Sequence, residues 1–169
     1  MEAGGGEVHD LDQFEDLFVR EYPAIFRSAF LVVGDRDLAR EITQEAFSRL
    51  LLRWNRVRRY DRPGAWVRLV AVRLARRTRD RRVVEASALT CSERAVDDPS
   101  ALRLDVDAAV LQLPRAQRAA VVLYYLDDRP IEEVAAVLGC RPATARVHLH
   151  RARAHLAELL GEEFADGSG

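Results

Sequence analysis

The stretch LPRAQRAAVVLYYLDDRPIEEVAAVLGCRPATARVHLHRARAHLAELL, from Leu113 to Leu160, decides the fold of this chain. It opens on a proline-led helix signal at Leu113 and Pro114. An apolar run from Ala119 to Leu126 follows, then an acidic corner at Asp127 and Asp128. Beyond the corner, Ile131, Val134, Ala135 and Leu138 recur at helical spacing and mark the buried face of a short helix. Gly139 can adopt the left-handed conformation that ends a helix, and Pro142 suits the first position of the next. In that last segment Ala145, Leu149, Ala152 and Leu156 form an inner stripe, with Arg146, His150, Arg151 and Arg153 around it. No carboxylate lies between Gly139 and Ala157. Two short helices joined by a glycine turn, the second one basic, form the helix-turn-helix pattern of a major-groove reader. An ordinary helical hairpin is the alternative.

Working outward, 169 residues leave room for one domain or two small helical ones. All 26 basic side chains are arginine, whose guanidinium fork matches phosphate oxygens. With a net charge of −1, the whole chain makes no bulk electrostatic case for nucleic acid, so the distribution of charge carries the argument. Between Arg53 and Arg82 stand twelve arginines and only two acids, Asp61 and Asp80, a local charge of +10. Crowding like charges destabilises a helix unless an anionic partner offsets the repulsion, which points to a phosphate-facing surface. A solvated basic tail on a bundle helix is the plainer alternative.

In chain order, residues 1–11 are glycine-rich and acidic and are expected to be disordered. Asp12 can cap a helix running through Phe14, Leu17, Phe18, Tyr22, Ile25, Phe26 and Leu31, with a kink or restart at Pro23. Gly34 stops it, and Asp35 or Asp37 starts a second helix with Leu38, Ile42, Ala46 and Leu50 inward. A polar connection from Asn55 to Gly64 precedes a third helix from Ala65 that carries Trp66, Leu69, Val70 and Leu74. Residues 85–101 lose periodicity and turn acidic, as a flexible linker would. Helical patterning resumes from Leu102, and the tail after Leu160 is short and acidic. The expectation is an all-α protein: a helical domain over 12–84, a linker over 85–101, and a second domain over 102–160 containing the helix-turn-helix.

Several chemistries find little footing. His9, His148, His150 and His155 with Cys91 and Cys140 supply no metal set and no disulfide framework. There is no strand-borne glycine loop for a phosphate cofactor, and Glu41 with Glu45 lacks a matching acid-and-histidine set on another helix. No catalytic, cofactor or metal site is expected, and no small-molecule substrate. The chain start lacks a secretion signal and no stretch is long enough to span a bilayer, so a cytoplasmic protein without membrane insertion is expected.

Three motifs in register then carry a resemblance. They are Gly34-Asp35-Arg36-Asp37-Leu38-Ala39-Arg40-Glu41-Ile42-Thr43-Gln44-Glu45-Ala46-Phe47, Leu113-Pro114-Arg115-Ala116-Gln117-Arg118, and Val134-Ala135-Ala136-Val137-Leu138-Gly139-Cys140 continuing to Thr144-Ala145-Arg146 and His150-Arg151-Ala152-Arg153. From about Phe14 to Leu160 the chain resembles the bacterial RNA polymerase sigma factors of the extracytoplasmic-function group, most of all their actinobacterial sigma-E-like members. The resemblance implies a promoter-specificity subunit. Its second helix would dock on core RNA polymerase through Asp37, Glu41, Gln44, Glu45 and Phe47. Promoter −10 DNA would meet Arg58, Arg59, Trp66, Arg73, Arg76 and Arg77, and −35 DNA would meet Arg141, Thr144, Arg146, His148 and Arg151. Relatives of this kind are commonly held by an anti-sigma protein, so a partner of that type is implied. Arg141-Pro142 stands where relatives carry a serine or threonine cap, a loss of about 1 kcal/mol that the proline partly offsets. Two other readings stay open: an autonomous helix-turn-helix regulator, and a sigma-like protein that binds partners without initiating transcription.

Overall fold

The computed structural model describes residues 4–86 and 101–161, and within them the side chains of residues 11–78 and 106–161. Every regular element among the described residues is helical. The first half comprises α1 (Gly4–Val33), α2 (Arg36–Leu51), the single turn α3 (Trp54–Val57) and α4 (Pro63–Ala86). The second comprises α5 (Ala101–Gln112), α6 (Arg115–Val121), a π-helical turn (Val122–Leu126), α7 (Ile131–Leu138) and α8 (Pro142–Leu160). The expected linker falls almost entirely on residues 87–100, which lie outside the described residues, as does the tail after Gly161.

Two expectations about α1 fail. Helix begins at Gly4, so Asp12 lies inside it and caps nothing, and α1 continues unbroken past Pro23. Once the apolar turns from Leu11 onward are nucleated, adding residues at the front requires only propagation. At Pro23 the missing N–H leaves the carbonyl of Val19 without its helical donor. Val19 is 73% exposed, so that carbonyl sits on a face open to water. The opposite face is held by an aromatic ladder that bridges the proline. Phe18 meets Tyr22 at 5.2 Å, Tyr22 stacks on Phe26 at 6.3 Å, and Phe26 on Phe30 at 6.4 Å. Phe47 of α2 closes on the ladder at 4.6 Å from Phe18 and 6.1 Å from Tyr22.

The start of α2 follows the expected chemistry. Asp35 is extended at φ −134°, ψ 123°, and its carboxylate accepts from the backbone N–H of Leu38. Leu38, Ile42, Ala46 and Leu50 are buried as the spacing requires. Trp54 is buried in α3 rather than extending α2. At the start of α4, Gly64 lets α1 approach closely, for a Cβ there would stand 2.6 Å from the carboxyl carbon of Glu21. That carboxylate is fixed by Arg68 at 2.6 Å.

The two halves are not isolated from one another, because α1 packs against α2 and α4 on one side and against α5, α6 and the π turn on the other. The buried apolar cluster runs continuously from Leu17 to Leu156 through both halves, where the sequence suggests separate cores. Polar bonds stitch the seam. Arg27 grips Asp107 with two nitrogens, at 2.6 and 3.0 Å, Arg76 donates to the carbonyl of Val137, and Arg129 donates to that of Ala65. Asp127 is buried in the seam. Its Oδ1 accepts from the Ser28 hydroxyl at 2.9 Å, while Oδ2 receives no hydrogen bond from the protein. Burial pushes the Asp127 carboxyl above its ordinary value of 3.8, against the opposing pull of the Ser28 bond and of the Arg68 and Arg129 charges.

Two outcomes follow from this packing. Gly64→Ala gains about 1 kcal/mol of helix propensity but displaces a charge-assisted bond worth about 1.5–3 kcal/mol. A denaturant titration should therefore show net destabilisation of about 1 kcal/mol, changing sign to stabilisation when Glu21→Ala is made first. For Asp127, the native state keeps a proton that the unfolded chain has already released at pH values just above 3.8. Its contribution therefore weakens stability as pH rises through that window and is constant above the folded value. Melting curves from pH 4 upward should show Asp127→Asn gaining on the parent with rising pH and then levelling.

Candidate nucleic-acid and polymerase interface

The second half presents α8 on a rigid corner. Gly139 ends α7 at φ 67°, ψ 35°, the N–H of Cys140 reaches the carbonyl of Ala135 at 3.0 Å, and that of Gly139 the carbonyl of Ala136 at 3.4 Å. This paired closure satisfies the last carbonyls of α7 and sets the exit direction of the chain. Arg141 occupies the N-cap of α8 with an extended backbone and no side-chain cap bond, and Pro142 takes the first turn. Ala145, Leu149, Ala152 and Leu156 face inward, all buried. Of the residues expected to meet −35 DNA, Arg141, Thr144, Arg146 and Arg151 are exposed together on the outer side. Glu132 approaches Arg146 only to 4.0 Å with both side chains well exposed, a pair of little energy that leaves the guanidinium accessible. His148 differs: it is half-buried and turned toward a cavity between the halves.

On the first half, Arg59, Arg73 and Arg77 are exposed and Trp66 is half-buried. Trp66, Arg73 and Arg77 are separated by seven and four residues, which puts them on one stripe of α4. Arg58 is half-buried and carries an interaction of its own. Arg76 is engaged with Val137 across the seam rather than free on the stripe. The arrangement adds one group that the sequence counted only as charge. The guanidinium of Arg53 lies over the Trp66 ring at 6.0 Å, and Tyr60 is exposed in the same α3 to α4 corner. Thirteen residues separate Arg53 from Trp66 across two turns, so no helical period could have paired them.

The acidic face of α2 is distinct from both. Asp37, Glu41, Gln44 and Glu45 are exposed along one side. Asp37 pairs with Arg40 at 2.9 Å and Glu45 with Arg49 at 2.7 Å, both at the solvent surface. Phe47 does not belong to that surface. It is 3% exposed and sits among Phe14, Phe18 and Tyr22, so it holds α2 against α1 instead of offering a contact. The helical period places 47 three residues from 44, which drew it into the motif. Its apolar character is the signal that separates it from the polar face.

Among the described residues no three histidine, cysteine or carboxylate groups come together as a metal set, and no helix is long and apolar enough to cross a membrane. Residues 103–156 match the family described as sigma-70, region 4. Over nearly its whole length the chain is similar to the RNA polymerase sigma factor CarQ of Myxococcus xanthus. The two are 34% identical over 158 residues, covering 89% of this chain and 91% of that protein. The RNA polymerase sigma-E factor of Streptomyces coelicolor is 30% identical over 153 residues, covering 88% and 86%. Among solved structures, the fold matches that of the sigma factor RpoE of Bartonella quintana, determined with the anti-sigma factor NepR. The TM-score is 0.69 at 23% identity, covering 88% of this chain and 96% of that one. It also matches CnrH, determined with the cytosolic domain of CnrY, at a TM-score of 0.52 and 22% identity. The motifs, the all-helical halves and the full-length similarity agree: the chain belongs to the RNA polymerase sigma factors of the extracytoplasmic-function type.

Proposed function

We propose that this sigma factor directs core RNA polymerase to promoters through two DNA-reading surfaces and one protein-docking face. The observation that carries the reading is the separation of charge. An exposed arginine face on α8 and an exposed arginine stripe on α4 lie apart from an exposed carboxylate face on α2. Arg141, Thr144, Arg146 and Arg151 would enter the major groove at the −35 element, with α7 packed behind as the first helix of a helix-turn-helix. Trp66, with Arg53 and Tyr60 beside it, and Arg59, Arg73 and Arg77 would meet the −10 element. There, unstacked bases gain from an aromatic surface and the backbone from guanidinium. Asp37, Glu41, Gln44 and Glu45 would dock on the polymerase. The functional units would be 12–84 and 102–160, connected by residues 85–101. An anti-sigma protein is a further partner, supported by the complexes in which the two structural relatives were solved. In this reading the chain acts in the cytoplasm as a regulatory subunit, and the polymerisation chemistry belongs to the core enzyme.

Run-off transcription with purified core polymerase tests the reading: a promoter-dependent transcript is expected only when this chain is added. Its absence on DNA selected by the assembled holoenzyme would overturn the proposal. Tight binding to a symmetric duplex without core would favour an autonomous regulator instead. Arg146→Ala and Arg151→Ala should each weaken −35-dependent binding by about 1–3 kcal/mol, while Trp66→Ala should reduce promoter opening more than initial binding. The α2 face separates into two behaviours. The double charge reversal Glu41→Arg with Glu45→Arg should abolish capture of core enzyme and leave the melting temperature near that of the parent. Phe47→Ala should lower stability by about 3–5 kcal/mol, read by denaturant titration.

A further inference from the structure

The seam between the halves encloses a cavity of about 210 Å³ lined by Val32, Arg76, Arg115, Ala116, Ala119, Leu138 and His148. At roughly 30 Å³ for each water, it has room for about seven waters, ample for a phosphate or pyrophosphate group. Its polar lining is of one sign of chemistry. Two guanidiniums and an imidazole converge on it from α4, α6 and α8, and no carboxylate is among the lining residues. Gathering cationic groups in a half-enclosed space raises their mutual repulsion, which a bound anion reverses. Arg76 already donates to the carbonyl of Val137, but a guanidinium has five N–H donors and one such bond leaves others in its fork. Donors arriving from three helices suit the tetrahedral oxygens of a phosphate better than a planar carboxylate, which takes a single fork. Val32, Ala116, Ala119 and Leu138 supply apolar walls that keep competing water down.

We propose that this cavity is a binding site for a small phosphorylated anion, and that its occupancy holds the two halves together against promoter engagement. The second part rests on the functional reading above. Elements centred at −35 and −10 are about 25 base pairs apart, hence about 85 Å along the duplex at about 3.4 Å per pair. In the closed arrangement Arg76 of the −10 stripe touches α7, and His148 of the −35 helix lines the same cavity. Readers so close cannot reach both elements, so DNA engagement separates the cavity walls. An anion bound only by the assembled walls must oppose that separation, and the coupling is reciprocal.

The test uses the full chain and inorganic pyrophosphate as probe, with calorimetric titration at fixed ionic strength. Saturable one-to-one binding is expected, weakened at least ten-fold by Arg115→Gln and also by Ala116→Leu, which fills the cavity without touching a charge. Thermal melts of both variants confirm folding, and a melting temperature raised by pyrophosphate in the parent alone is the supporting result. A labelled single-stranded oligonucleotide tests the other source of phosphate. Arg115-dependent binding of the oligonucleotide without pyrophosphate binding would overturn a small-anion site. Capture of core polymerase by fluorescently labelled chain should weaken about ten-fold at saturating pyrophosphate for the parent and not for Arg115→Gln. Pyrophosphate binding insensitive to both variants overturns the site, and binding that leaves core capture unchanged overturns the coupling. Run-off transcription without the anion reports on the sigma-factor reading separately. A transcript with no Arg115-dependent binding sinks the cavity proposal alone, whereas a missing transcript sinks the functional reading and leaves the titration result standing.

Discussion

The stacking of aromatic rings along α1 is the constraint on which the arrangement of this molecule depends. A helix of 30 residues with a proline inside it is held straight because Phe18, Tyr22, Phe26 and Phe30 form an uninterrupted row and Phe47 locks the row to α2. Straightness matters because the far end of the helix carries Arg27, Ser28 and Val32 to the other half of the chain. A bend at Pro23 would move those three relative to α2 and α4, and neither the Asp107 clamp nor the Asp127 bond could form. One helix thus serves as the spine of two small bundles, and the surfaces that meet DNA and polymerase are placed by reference to it.

The seam is held by polar as well as apolar contacts. Arg27 with Asp107 is a bidentate pair only partly open to solvent, the geometry in which an ion pair retains some value. Arg76 and Arg129 reach across to backbone carbonyls instead of carboxylates, so they secure the halves without neutralising charge. The buried Asp127 works against the closed form as it ionises, because its second oxygen finds no donor. Such a seam is specific in geometry and moderate in strength, which suits halves that have to part when DNA is engaged.

Much of this was legible beforehand, and the reasons differ by element. The α7 to α8 corner could be read because each step has a local cause: Gly139 for the left-handed turn, Pro142 for the start, and four apolar residues for the inner stripe. The Asp35 cap was legible for the same reason. Pro23 misled because its penalty is local, while the aromatic packing that overrides it involves residues on another helix. Phe47 entered the docking motif by position and left it by burial. His148 and Arg76 were placed on DNA-facing surfaces because each lies on the proper helix, yet both are drawn into the seam by packing between halves, which no period within one helix encodes. The pairing of Arg53 with Trp66 escaped for the same physical reason.

The π-helical turn at Val122–Leu126 has a consequence for how tolerant this chain is of length changes. There the N–H of Asp127 reaches back five residues to Val122, so one more residue is accommodated than an α-helical turn would hold. Removing a single residue from that turn would relax it to ordinary α geometry and swing everything downstream by about 100° about the axis. Asp127 would rotate away from Ser28, Asp128 would lose its left-handed bend at φ 52°, and α7 would be launched in another direction. The aim of the basic helix is therefore written in a surplus residue, and a one-codon deletion there would misdirect it while leaving every arginine in place.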